Sequence, residues 1–254
     1  RDYRNTRMTN TSVAIVGAGI VGLATAHYLC ARGYGKNLTV IDQGAPMGFT
    51  SAQSGENYRN WWPHPVMQGL MDASTDLMEE IVRKTDNSIN MTRRGYVLAT
   101  RNQDFSNFLS DTQSGVRIHE RSSAAGYIQP SHWEQVPDGV DVLAHQDLIK
   151  AHFPYLDDNV SALIHIRRGG DISGQQMGQC SLESIREAGG KIVLTKVNHI
   201  LCNRHYLIET NINNIEADIL VDAAGPFAGR LLKCWVSRFL LLMCDRKRLH
   251  LMIT

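Results

Sequence analysis

Three features of the sequence predict an α/β fold. The β-branched run Val13-Ala14-Ile15-Val16 breaks into glycines at 17, 19 and 22 and resumes as the Ala- and Leu-rich segment Leu23 to Leu29. A second apolar run, Leu38-Thr39-Val40-Ile41, ends in Asp42, twenty positions after Gly22. Far along the chain, Ile219-Leu220-Val221-Asp222 leads into Ala223-Ala224-Gly225-Pro226 as a further buried strand would. Apolar strands alternating with helical segments are the pattern of a parallel sheet with helical crossovers.

Each element of the first unit has a local cause. Gly17 permits a tight turn at a strand end, Gly19 lets the main chain approach a pyrophosphate, and Gly22 lets the helix pack closely on the sheet. The helix that follows turns its free N–H groups towards the phosphates. Gly33 and Gly35 stop it, and Asp42 stands where a carboxylate accepts ribose hydroxyls. That negative charge disfavours a 2′-phosphate, so NAD or FAD is expected rather than NADP. The glycine motif alone leaves a purely structural βαβ unit open.

Gly48 to Gly55 forms a small, hydroxyl-rich loop able to bring donors to the same pyrophosphate, with an ordinary polar connection as the alternative. Glu56 to Pro65 then concentrates Tyr58, Arg59, Trp61, Trp62 and His64, and its two prolines, Pro63 and Pro65, rule out a regular helix. Either Arg59 holds a carboxylate beside water-excluding aromatics, or the tryptophans are core anchors and Arg59 a solvated charge. His64 is expected to be a positioned loop residue. Val66, Leu70, Leu77, Met78, Ile81 and Val82 lie at helical spacing and predict an amphipathic helix with core methionines. Gly95 to Thr100 reads as a strand, followed by a short helix carrying Phe105, Phe108 and Leu109. Residues 114–154 have no regular pattern, and His119, His132, His145 and His152 show no metal-ligand spacing; surface or structural roles are expected. Ser173 to Gln176 is a capping-box pattern opening a helix whose inner face is Met177, Ser181, Ile185 and Ala188. Strands are expected at Lys191 to Leu194, Val197 to Ile200 and Tyr206 to Thr210.

Composition narrows the class. The 254 residues give a net charge of +1, from 26 basic and 25 acidic side chains, so no nucleic-acid or anionic-membrane partner is expected. The five scattered cysteines form neither a disulfide framework nor a zinc site, which fits a cytoplasmic location. No apolar run approaches the roughly 20 residues of a membrane span. Met8 is expected to be the translational start, with residues 1–7 as upstream remnant.

These blocks together resemble the FAD-dependent glycine/D-amino acid oxidase family, in its sarcosine-oxidase-like branch. The resemblance runs from about Thr11 to Leu232. It rests on the glycine motif with Asp42, Thr50-Ser51, Gly95 to Ala99, Phe153-Pro154-Tyr155-Leu156, Gly170 to Ser173 with its helix, Val197 with Ile200, and Asp222 to Pro226. It implies a Rossmann-like FAD-binding domain of GR2 type with an incomplete α+β substrate domain. The cofactor domain would take residues 8–88 and 166–232, the substrate domain 89–165, and an aberrant tail 233–254. The resemblance also implies FAD contacts by Gly17, Gly19, Ile20, Val21, Gly22, Asp42, Gln43, Thr50, Ser51, Val197, Ala224 and Gly225. Of these, Val197 would meet the adenine through its backbone and Gly225 would be a close-approach glycine. Arg59 would be the catalytic-site arginine if one residue is inserted, while the two histidines of the sarcosine-oxidase loop are absent. No metal is implied.

The implied chemistry is oxidation of the C–N bond of a small amine or amino acid to an imine, with oxygen or an electron carrier accepting the electrons. Family members extend further, and residues after Leu232 depart from the family pattern. Codons for Lys233 to Val236, read two nucleotides out of frame, must give Met or Val, then Leu, then Gly, so a frameshift near Lys233 is expected. The alternative to an active enzyme is a truncated FAD- or ADP-binding fragment without turnover.

Overall fold

The computed structural model describes residues 10–62, 64–102, 104, 116–119, 127–128, 130 and 135–236. The expected start at Met8, the helix around Phe105, His132 and the tail from Ser237 onward lie outside the described residues. In chain order the strands are β1 (Val13–Val16), β2 (Leu38–Asp42), β3 (Asn57–Arg59), β4 (Tyr96–Thr100), β5 (Val116–His119), β6 (Val140–Leu143) and β7 (Ala162–Ile166). They continue as β8 (Gly169–Asp171), β9 (Lys191–Leu194), β10 (Val197–Cys202), β11 (Tyr206–Thr210), β12 (Asn214–Ala217), β13 (Ile219–Asp222) and β14 (Trp235–Val236). The two long N-terminal helices are α1 (Ile20–Ala31) and α2 (Pro65–Thr85); three more cover Gln146–His152, Gly174–Glu187 and Ala228–Cys234.

The chain divides into two compact units, residues 1–53 with 178–254, and residues 54–177. Residues 54–88 and 166–177, which the sequence grouped with the cofactor domain, fall in the second unit. The cause is local: β3 pairs antiparallel with β8, so Asn57 faces Asp171 and Arg59 faces Gly169, and both flanks are drawn together.

The first unit is built on a parallel sheet of order β13-β1-β2-β9. β1 is buried at all four positions because both faces of the sheet are covered. Val13 and Ile15 pack with Leu23 and Ala26 of α1 and with Leu182 and Ile185 of the Gly174–Glu187 helix. Ala14 and Val16 pack with Ile200, Ile208, Ala217 and Leu231. That second layer is the antiparallel meander β10-β11-β12, which β14 joins beside β10. β12 was not expected from sequence, because only Ile215 and Ala217 of its four residues turn inward. The Gly174–Glu187 helix opens as its capping pattern predicts: the Ser173 hydroxyl accepts from the Gln176 N–H at 3.3 Å.

The second unit carries a sheet of order β4-β7-β6-β5, and the ribbon β3-β8. Pro65 takes the first helical position of α2, where its missing N–H costs nothing, and the His64 ring caps the helix by accepting from Met67 N–H. The expected apolar face of α2 is its buried face only at the C-terminal end, where Val82 is buried and Met78 and Ile81 are half-buried. Val66, Leu70 and Leu77 are 74%, 58% and 41% exposed, and the polar Thr75 and Glu79 are buried beside Val82. Ion pairing overrides hydrophobic patterning there, since Glu79 holds Arg168 through Nε at 3.0 Å and Nη2 at 2.9 Å.

Residues 114–154 are also more regular than expected. Val116-Arg117-Ile118-His119 and Val140-Asp141-Val142-Leu143 form adjacent parallel strands, and the Gln146–His152 helix follows. Their charged members obscure the strand pattern in the sequence because they pair with one another across the sheet.

Candidate functional site

The glycine motif sits in the first unit at the junction of β1 and α1. Gly17 adopts φ +113°, and a Cβ there would lie 2.2 Å from the Ala223 carbonyl oxygen at the end of β13. A Cβ on Gly22 would lie 1.9 Å from the Gly17 carbonyl oxygen, so helix and turn touch through bare backbone. Gly19 is the N-cap of α1 and offers no side chain of its own. Its role is filled from a distance by Ser51, in the 3-10 turn Thr50–Gln53, whose hydroxyl accepts from the Ile20 N–H at 3.0 Å. The N–H groups of Val21 and Gly22 meet no acceptor among the described residues. A helix N-terminus with open N–H groups and a side-chain-free approach is a site for phosphate. Substituting Ser51 by alanine is expected to lower stability by about 1 kcal/mol, the usual worth of a helix cap, as a shift of the urea midpoint at constant slope.

Asp42 closes β2 with its carboxylate already oriented. One oxygen accepts from the Ala18 N–H at 2.7 Å and the other from the Gly44 N–H at 2.9 Å. The carboxylate thus ties the glycine turn to the β2 loop, and each oxygen keeps a lone pair for a ribose hydroxyl. Beside it lies a cavity of about 320 Å³ lined by Val16, Gly17, Asp42, Gln43, Thr195 to Val197, Ala224, Phe227 and Arg230, among others. Small-molecule sites run from roughly 300 to 1,000 Å³, so this one suits a nucleoside. The cavity, the N-terminus of α1 and Asp42 together fit an adenine dinucleotide.

The remaining sequence candidates separate. Gln43, Val197 and Ala224 line the cavity, and Ile20 and Val21 open α1, with Val21 66% exposed. Thr50 is exposed at the start of its turn. Gly225 was expected to be glycine because something approaches it closely. A Cβ there meets no protein atom within 4 Å, and φ +56° is a further, independent reason for glycine at this position. Thr195 was not singled out in the sequence, where it is an unremarkable residue in a strand-to-strand link.

In the second unit, Arg59 lies between two rings. Its guanidinium carbon is 4.1 Å from the Trp62 centroid and 4.9 Å from that of Tyr96, and it has no acidic partner among the described residues. Stacking fixes the plane of the guanidinium while leaving its N–H edge for a planar anion. The two sequence readings of this stretch therefore divide by residue: Trp61, 2% exposed, is a core anchor, and Trp62 carries Arg59.

A buried polar network in the same unit has no counterpart in the sequence reading. Asp141 accepts from Arg117 Nε at 2.6 Å and Nη2 at 3.0 Å, contacts His119 Nε2 at 2.9 Å, and lies 3.4 Å from Arg167 Nε. Burial pushes the Asp141 carboxyl up, but the hydrogen bonds from Arg117 and His119 outweigh it and leave the group below its ordinary value. His165 Nδ1 faces the Tyr127 hydroxyl at 2.8 Å and Arg167 Nη1 at 2.9 Å, while Nε2 faces the Arg94 carbonyl at 3.2 Å. Burial first, and then the Arg167 charge, lower its pKa to about 4. His119, His145 and His152 have the structural roles expected of them: an Asp141 contact, a helix cap and a ring packed 4.7 Å from Tyr127. Among the described residues no group of His, Cys, Asp and Glu side chains could hold a metal ion, and no helix is long and apolar enough to cross a membrane.

Comparison with known proteins agrees with this geometry. The chain is similar to the uncharacterized oxidoreductase YurR of Bacillus subtilis (strain 168), at 23% identity over 87% of this chain and 57% of that protein. Among solved structures it resembles L-proline dehydrogenase from P. horikoshii (TM-score 0.70, 19% identity, 88% of this chain and 55% of that one). It also resembles glycine oxidase from Bacillus cereus ATCC 14579 (TM-score 0.67, 18% identity, 88% and 59%). The chain thus spans little more than half the length of these relatives. A family model described as FAD-dependent oxidoreductase matches residues 12–247, past the Leu232 limit that the sequence resemblance set. The chain belongs to this DAO family of FAD-dependent oxidoreductases.

Proposed function

We propose that the chain is the cofactor-binding and carboxylate-holding part of an oxidoreductase acting on the C–N bond of a small amine or amino acid. The observation that carries the substrate class is Arg59, a stacked guanidinium without an acidic partner among the described residues. A bidentate arginine clamp orients a carboxylate, and with it the amine carbon of an amino acid. FAD, when bound, supplies the electron sink for removal of a hydride equivalent. The residues of this chain do the rest: the N-terminus of α1 and Asp42 hold the dinucleotide, and Trp62 and Tyr96 keep water from the arginine plane. Oxygen or an electron carrier would take up the electrons.

Purified protein is expected to be yellow and to bleach anaerobically on addition of sarcosine, glycine or a D-amino acid; colourless protein rejects the proposal. Arg59→Lys is expected to raise KM for a carboxylate-bearing substrate roughly 10- to 100-fold, since lysine cannot offer the planar fork. An amine without a carboxylate should be insensitive to the change, and an unaltered KM for both would remove Arg59 from the site. The second reading is a protein that binds FAD or ADP without turnover, since the α1 N-terminus and Asp42 are complete within the first unit without Arg59. Stoichiometric yellow protein that no amine bleaches would establish it.

A further inference from the structure

The cavity beside Asp42 contains a polar group for which the protein supplies no partner. Thr195 is 6% exposed, its hydroxyl is shut off from solvent, and no hydrogen-bonding group of the described residues reaches it. A buried hydroxyl without a partner is destabilising, and valine would have the same shape without that penalty. The backbone of Thr195 is fixed, because its N–H donates to the Asp42 carbonyl at 2.7 Å. Thr195 lines the cavity in the link between β9 and β10, next to Asp42 at the end of β2. The other two staggered positions about χ1 are the freedom it retains.

We propose that Thr195 is a positioning residue for the nucleoside half of the cofactor: on binding, its hydroxyl turns into the cavity and hydrogen-bonds the adenosine. The hydroxyl unpaired in the free protein is then paired in the complex. The threonine thereby favours the loaded state by a bond that is formed without giving up one to water. Asp42 and Thr195 would engage the nucleoside from neighbouring strand ends, while the flavin half of FAD makes no use of this residue. The inference rests on assigning the cavity to a nucleotide.

The test compares wild type with Thr195→Val and Thr195→Ser, using ADP, FAD and FMN as titrants in calorimetry and thermal melting of the ligand-free proteins as a second readout. ADP carries the nucleoside half and FMN the flavin half, so the pair localises the effect. The valine variant is expected to bind ADP and FAD about 5- to 30-fold more weakly, to leave FMN binding unchanged, and to melt at or above the wild-type temperature. Serine should restore most of the affinity. Unchanged ADP and FAD affinities in the valine variant overturn the role of Thr195 while leaving the nucleotide assignment intact. A valine variant that melts lower or does not fold shows that the hydroxyl serves the free protein, and also overturns it. Wild-type protein that binds neither ADP nor FAD removes the nucleotide assignment and this inference together.

Discussion

Replacing Gly17 by alanine is expected to destabilise the first unit by about 2–5 kcal/mol, with loss of bound flavin at temperatures where the wild type retains it. Two costs add. An L side chain at φ +113° carries a penalty of about 1–2 kcal/mol, and a methyl 2.2 Å from the Ala223 carbonyl oxygen forces β1 and β13 apart, an overpacking cost of about 1–3 kcal/mol. Total stabilities of about 5–15 kcal/mol make such a loss severe. Gly69 is the control. It lies inside α2 with no atom within 4 Å of its hypothetical Cβ, so alanine there should be neutral or stabilising by up to about 1 kcal/mol. Urea denaturation of the two variants, followed by near-ultraviolet circular dichroism, reads both effects. Equal midpoints for Gly17→Ala and wild type would show that the turn has slack which these distances deny.

Stability is expected to fall as the pH drops from 6.5 to 4, because of His165. Its folded pKa of about 4 lies below the ordinary value of 6.5, so over this interval the unfolded chain binds a proton that the folded chain refuses. Folding is therefore favoured fully above 6.5 and progressively less down to about 4, by about 3 kcal/mol in all at 1.36 kcal/mol per unit. The physical source is a buried imidazole, 3% exposed, beside the fixed charge of Arg167. Asp141 does not share this window. Its carboxyl titrates below 3.8, so the stability it contributes is lost only under more acid conditions. In His165→Gln the slope of unfolding free energy between pH 4 and 6.5 should flatten, whatever the absolute stability of the variant. A slope as steep as the wild type's would assign the acid sensitivity to another group.

How far the sequence could disclose these sites depended on whether local sterics or distant pairing fixed each residue. Gly17, Gly22 and Asp42 act within one βαβ unit, so their spacing carries the geometry. Ser173 caps its helix through neighbours three residues away and is equally local. Arg117, Asp141, His165 and Arg167 become a network only when three short strands are set in register, and no spacing in the chain announces that. The outward face of α2 misled for a related reason: the partner of Glu79 is Arg168, 89 positions away. Gly225 reads as a close-approach glycine, and its positive φ is a second cause that leaves the same residue in the sequence. Thr195 stood out only once its hydroxyl could be seen to lack a partner.

The discontinuity of the first unit has a consequence for the order of assembly. β1 and β2 are translated early, but the β1–β13 and β2–β9 pairings that complete their sheet need residues 191–194 and 219–222. The intervening unit, residues 54–177, is one continuous stretch whose own sheets close within it. On a ribosome, domains generally fold as they emerge, and contacts distant in sequence form slowly. The nascent chain must therefore carry a fully apolar β1 with its β13 edge unpaired, β2 covering the other edge, through the synthesis of roughly 200 residues. This is the interval in which the protein is most exposed to aggregation, and the one in which a holding chaperone would act.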